Sequence, residues 1–136
     1  MRSATVLVAL WLALPARGSE LDGTQWELKP TGFLSGLRFW RADILTFDEG
    51  RFTSERFLPY GFRTEPYKVT RDGDAVEWRG QQRNLFGERI VWVGTRRGSR
   101  MTGTMVYIRE EGDEDAIRWE AELTRSAESV SRSLEP

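Results

Sequence analysis

Seven aromatic side chains fall in segments where apolar and polar residues alternate: Phe47, Phe52, Tyr67, Trp78, Trp92, Tyr107 and Trp119. Rings of this kind, turned toward one side of a sheet, stack flat or acyl molecules, and tyrosine hydroxyls and indole N–H groups add polar handles. The same rings equally serve as plain filling of a core. The neighbours of Trp78 and Trp92 leave open which way those two point. Phe39 and Trp40 add two more rings in the long segment Pro30–Arg41, which either folds over an open end of the sheet or packs against its outside. These nine residues are the ligand-binding candidates.

Catalytic chemistry has thinner support. Glu27, Glu55, Glu65, Glu77 and Glu120 sit in strand-like segments, and an inward pair would make an acid–base site. Their alternation with apolar residues places them on a solvated outer face instead. Tyr67, Tyr107 and an inward arginine such as Arg56 are the other pieces of a site, but no spacing singles them out. The chain has no histidine and no cysteine. That excludes disulfides, thiolate nucleophiles, a lipid-modified N-terminal cysteine and nearly all zinc, copper and haem sites. It also removes the side chain that usually moves protons near neutral pH. The expectation is a protein that is not an enzyme and carries no cofactor or metal. The basic tip Arg96–Arg100 and the acidic tip Glu110–Asp115 read as solvated turns.

The chain of 136 residues has the length of one domain. Met1–Gly18 reads as a secretory signal peptide: Arg2, an apolar run Ala4–Leu14, the breaker Pro15 and the small-any-small site Ala16-Arg17-Gly18. Cleavage is expected before Ser19, or alternatively after Ala16. The apolar run is too short to span a bilayer as a helix, which takes about 20 residues, so no stable membrane insertion is expected. Secretion or a periplasmic location follows. The remainder, about 118 residues, suffices for one hydrophobic core. Net charge is −1 for the whole chain, and the leader holds Arg2 and Arg17 without an acid. A balance so close to neutral gives no reason to expect nucleic acid or an anionic membrane as partner. The domain runs from 19 to 125, and 126–136 reads as a loose polar tail.

Those residues need elements to hold them. Strands are expected at Thr24–Lys29, Asp43–Phe47, Phe52–Phe57, Phe62–Thr70, Ala75–Arg79, Arg89–Thr95, Arg100–Arg109 and Asp115–Arg125, with no convincing helix. Tight turns at Asp48-Glu49-Gly50, Arg71-Asp72-Gly73-Asp74 and Arg96-Arg97-Gly98-Ser99 separate them. Gly80–Glu88 reads as a polar connection that contains Leu85-Phe86, and Pro66 marks a place where pairing must be edge-like or interrupted. In the last strand Ile117, Trp119, Ala121 and Leu123 face one way, and Arg118, Glu120 and Glu122 the other. Sequential hairpins with one dry face close on themselves to avoid exposed edges. The expected architecture is all-β: an eight-stranded antiparallel up-and-down barrel. At that strand number the interior holds either side chains or one small ligand.

Gly23-Thr24-Gln25-Trp26 resembles the opening of the first strand in the lipocalin and calycin superfamily. The run Leu21–Trp26, with Leu45–Ser54, Gly61-Phe62 and Tyr67, also resembles small secreted bacterial lipocalin-like proteins of unknown function. The likeness covers residues 21–125, with a glycine-to-tryptophan spacing one residue longer than in standard lipocalins. It implies a structural signature of Gly23, Trp26 and Arg125, with Arg125 packing over the indole of Trp26, a contact worth about 0.5–2 kcal/mol. The first functional reading is a small apolar or amphipathic molecule bound in the barrel mouth, in a cavity under Pro30–Arg41. The alternative is a filled barrel that binds or inhibits another protein through its surface, with an exposed apolar patch such as Phe33-Leu34 or Phe39-Trp40.

Overall fold

A computed structural model describes residues 21–33 and 42–126. The expected leader, the segment with Phe39 and Trp40, and residues 127–136 of the expected tail lie outside the described residues.

Eight strands form one closed antiparallel barrel in chain order: β1 (Thr24–Phe33), β2 (Asp43–Asp48), β3 (Arg51–Ser54), β4 (Glu65–Asp72), β5 (Ala75–Arg83), β6 (Arg89–Arg97), β7 (Arg100–Ile108) and β8 (Glu114–Arg125). β8 closes on β1, from Gln25 opposite Arg125 to Phe33 opposite Ile117. One end, the floor, carries Leu21–Gly23 and the turns after β2, β4 and β6. The other, the mouth, is where β1 ends and β2 begins.

The two-residue period of a strand sorts the side chains. Along β8, Ile117, Trp119 and Ala121 are buried, while Arg118, Glu120 and Glu122 are exposed. Glu27, Glu55 and Glu120 are likewise exposed, and Glu65 and Glu77 half-exposed. Lys29, Arg79 and Arg100 lie within 3.9 Å of Glu27, Glu77 and Glu120 respectively, ordinary solvated pairs.

Four strands depart from the sequence reading by three residues or more at one end. The first runs on to Phe33 rather than ending at Lys29, so the opening residues of the expected Pro30–Arg41 loop are paired with β8. The third strand stops at Ser54, and Glu55–Tyr60 forms a short 3-10 helix rather than continuing to Phe57. Pro59 has no N–H to give a ladder, and Gly61 takes φ 87° to end the helix, its N–H bonded to the Leu58 carbonyl at 3.0 Å. The fourth strand accordingly starts at Glu65, not Phe62. β3 and β4 pair only at Arg51 opposite Pro66 and Phe52 opposite Glu65, the short seam that the proline implied. The fifth strand runs on to Arg83 through Gly80, which is a strand residue rather than the start of a loop.

Gly80, Gly94 and Gly103 are inside the barrel because rings need their space. Trp78, Gly94, Gly103 and Trp119 lie side by side across β5 to β8. A Cβ on Gly94 would fall 2.2 Å from Trp78 Nε1, and one on Gly103 would fall 2.1 Å from the Val93 carbonyl and 2.5 Å from Trp119 Cζ2. A Cβ on Gly80 would fall 2.3 Å from Phe52. Large side chains thus sit beside empty positions, which is how a narrow barrel reaches interior packing density.

Gly103→Ala is therefore expected to lose at least about 3 kcal/mol, because a backbone carbonyl blocks the new methyl and cannot swing away. Gly32→Ala, whose Cβ would meet nothing nearer than 4.0 Å, should stay within about 0.5 kcal/mol of the parent. Urea unfolding of the two variants checks this. Equal midpoints would show that the rings, not the glycines, adjust.

Candidate functional site

The floor is built by the motif that opens the first strand. Thr24 returns to the Leu21 carbonyl through both its N–H (3.0 Å) and its hydroxyl (2.5 Å). The Trp26 indole N–H then donates to Thr24 Oγ1 at 2.9 Å. Gly23, at φ 84°, donates its N–H to the Phe47 carbonyl at 2.7 Å. Asp22 accepts from the Gly50 N–H at 3.0 Å and the Tyr67 hydroxyl at 2.5 Å. Burial, then the adjacent carboxylate, pushes the Tyr67 phenol well above its ordinary range and keeps it neutral. Leu21 and Trp26 are fully buried. Leu21, Asp22, Gly23, Thr24 and Trp26 thus each have a fastening task.

The cation over Trp26 is Arg96, with Cζ 5.1 Å from the ring centroid, not Arg125. The shear of the barrel explains the correction. A bulge between Gln25 and Trp26 puts Leu123 opposite Trp26, and Arg125, opposite Gln25, is exposed. Arg96 lies in the same row as Val76 and Met101, two buried side chains.

The interior receives the candidate rings. Phe47, Phe52, Trp78, Trp92 and Trp119 are fully buried, and Tyr67 nearly so. Trp78 and Trp92 stack with centroids 6.3 Å apart, and Trp119 touches both at 6.3 and 6.1 Å. Phe47 meets Trp78 edge-on at 4.9 Å, and Phe52 meets it at 5.2 Å. Phe39 and Trp40 lie outside the described residues. The Trp119 indole N–H is buried with no hydrogen-bond partner.

The mouth is stoppered by the 3-10 helix. Phe57 packs on Phe62, Trp92 and Tyr107 with centroids 6.1, 6.4 and 5.9 Å away. Polar groups fix this stopper. Gln82, fully buried, accepts from the Trp92 indole N–H at 2.8 Å and donates to the Arg63 carbonyl at 3.0 Å. Asp43, 3% exposed, accepts from the N–H groups of Ile44 (2.7 Å) and Arg56 (2.8 Å) and from the Ser54 hydroxyl. Tyr107, half-buried, donates to Glu88 at 2.9 Å, and burial and that carboxylate raise its phenol well above the ordinary range. Arg109 pairs with Asp115 beside it. Tyr107 and Tyr67 are thus both engaged with carboxylates, at opposite ends of the molecule, while Arg56 is a residue of the stopper helix itself.

Sequence reasoning missed Asp22, Asp43, Gln82 and Asn84. The Asn84 carboxamide accepts from the N–H groups of Phe86 and Glu88, each at 3.0 Å, and donates to Glu88 Oε1 at 2.9 Å and the Tyr60 carbonyl at 3.0 Å. It therefore ties the turn after β5 to the 3-10 helix. Those two segments carry the large apolar side chains that are exposed among the described residues: Leu58 (46%), Tyr60 (52%), Leu85 (94%) and Phe86 (69%). The sequence placed such a patch at Phe33-Leu34 or Phe39-Trp40. Leu34, Phe39 and Trp40 lie outside the described residues.

No family model, no curated protein and no solved structure matches the chain. Its class rests on architecture: a closed, antiparallel, up-and-down eight-stranded β-barrel, consistent with a lipocalin-like fold.

Asp43 sets a pH dependence. Burial, outweighing its three hydrogen bonds, lifts its carboxyl from 3.8 to about 6. The folded state then holds a proton that the unfolded chain lacks between those values, so this group's contribution to stability grows as pH falls from about 6 to 3.8. The whole gain is on the order of 3 kcal/mol. Asp43→Asn keeps an acceptor for both N–H groups and carries no charge. It should match or exceed the parent's stability at pH 7.5 and lose the rise between about pH 6 and 4. Denaturant midpoints across that range decide, and an unchanged rise in the variant would show that another group carries it.

Proposed function

We propose that the protein is a non-catalytic binding module with a filled barrel, a secreted relative of the lipocalin-like barrels, which meets its partner through the rim of the mouth. The carrying observation is the interior itself: rings in mutual contact, seated on three glycines that already have ring or backbone atoms where a Cβ would lie. The exposed apolar side chains at the mouth-side rim support the same reading. The tyrosines bound to Asp22 and Glu88 favour structural over proton-transfer roles.

A second reading, an apolar or amphipathic small molecule held in the mouth, has one observation in its favour. A buried indole N–H without a partner, that of Trp119, is the kind of group a ligand oxygen satisfies. It requires Phe57 and Phe62 to move aside.

Native mass spectrometry of the protein purified from its own host separates the two. The filled barrel is expected to give the bare protein mass and no change of tryptophan emission with fatty acids or aromatic amphiphiles. A retained small-molecule mass that disappears on denaturation would establish the mouth ligand and overturn the filled-barrel reading.

A further inference from the structure

We propose that the rim of the mouth binds a second copy of the chain, in a two-fold contact centred on the Leu85-Phe86 turn. The inference rests on the rim reading above and names the rim's partner. Leu85 is 94% and Phe86 69% exposed, consecutive at the tip of a tight turn. Leu58 and Tyr60 stand beside them on the 3-10 helix, which the Asn84 carboxamide ties to this turn through the Tyr60 carbonyl. With Gly61, Arg63, Arg83 and Asn84, the tip lines a depression of about 320 Å³, room for a side chain of another molecule. The turn is held ready: the Asn84 carboxamide bonds and the Asn84 N–H to the Glu88 carbonyl at 3.1 Å fix it, so docking costs little ordering. No helix among the described residues is long and apolar enough to cross a membrane.

Charge selects the occupant. In the closed barrel the connections around the mouth follow chain order: 55–64, then the turn after β5, then the turn after β7. The apolar tip therefore has a basic side and an acidic side. Arg63 and Arg83, both exposed, lie toward the 3-10 helix. On the other flank Glu110, Glu111, Asp113 and Glu114 are exposed, and a Cβ on Gly87 would fall 3.3 Å from Glu110. The last row of the wall repeats this order, with Arg83, Arg89, Ile108 and Glu114 running across β5 to β8. The nearest other charges are engaged or turned elsewhere. Arg109 pairs with Asp115, and Glu88 accepts from Asn84 and Tyr107. Glu55 and Arg56 line a separate depression with Glu27 and Ile44, and Glu65 lines another with Lys68 and Arg79. A patch of one sign calls for a partner of the other sign, and the acidic turn repels an anionic bilayer. A patch with both signs, one on each side of an apolar centre, complements its own copy. A two-fold axis through the tip, lying in the plane of the rim and pointing outward from the barrel axis, lays tip on tip. It also sets each basic side over the other copy's acidic turn. Leu58, Tyr60, Leu85 and Phe86 make a small interface, so the association is reversible.

Sedimentation velocity of the full chain, from the low to the high micromolar range, tests this. The expected result is a monomer–dimer equilibrium that high salt weakens. Arg63→Glu with Arg83→Glu, and separately Glu110→Arg with Glu111→Arg, should each weaken self-association at least about tenfold. An equimolar mixture of these two variants should regain the parent's dimer, because both reversed contacts are then matched. Native mass spectrometry should find one chain of each kind in it. Leu85→Asp, at a side chain that is 94% exposed and touches little of its own chain, should also disperse the dimer with the fold intact. A parent that stays monomeric throughout, variants that dimerise as well as the parent, or a mixture no better than its components overturns the proposal. A monomeric parent leaves the rim reading to its own test, since only a retained small-molecule mass defeats that one.

Discussion

Everything in this molecule depends on fitting three indoles into an eight-stranded barrel. Trp78, Trp92 and Trp119 touch one another inside it, Trp78 and Trp119 in one row of the wall and Trp92 in the next, and the strands leave room for little else. β6 and β7 yield that room by presenting Gly94 and Gly103 opposite each other. Once those rings are seated, the neighbouring rows have to be made of smaller or flexible side chains, and they are: Met105 and Ile117 beside Trp92, and Met101 and Ala121 beside Arg96. The packing selects one register because a slip by one residue would turn rings outward and charges inward.

The two ends solve different problems. At the floor, the chain covers its own opening with a six-residue motif whose donors and acceptors are used locally, and Arg96 lays its charge over the indole that completes the cover. At the mouth, an insertion between β3 and β4 drops Phe57 onto the rings and is fastened by buried polar groups, Asp43 and Gln82. The floor is fastened by backbone and hydroxyl groups together with the part-buried Asp22 carboxylate and the Arg96 cation, whereas the mouth hangs in part on the deeply buried Asp43 carboxyl, whose affinity for a proton is raised.

The strands and their closure were legible because local chemistry repeats: turn glycines, alternation, and an N-terminal motif that resembles a known barrel opening. What sequence alone could not supply was anything set by shear. The resemblance put Arg125 over Trp26 and left Arg96 in a solvated turn, and only the bulge at Gln25 fixes who stands opposite whom. Gly80 looks like the end of a strand, since glycine there answers to Phe52 on a non-adjacent strand rather than to its own backbone. Phe57 continues the alternation of the third strand, and only Pro59 and Gly61 betray the helix. Asp43 reads as a strand-end acid because two of its three donors, Ser54 and Arg56, arrive from across the next hairpin.

The seam between β3 and β4 has a consequence for motion. β6 and β7 share nine opposed residue pairs, β3 and β4 only two, with the Thr53 and Thr64 hydroxyls 2.6 Å apart serving as a further clasp. A closed cylinder breathes where its wall is thinnest, so fluctuations concentrate along this line and amide protons beside it exchange with water before those of β6 and β7. The stopper helix is inserted in that same seam. Opening the wall and unstoppering the mouth are therefore one movement, and the rings on the far side of the barrel can remain packed while it happens.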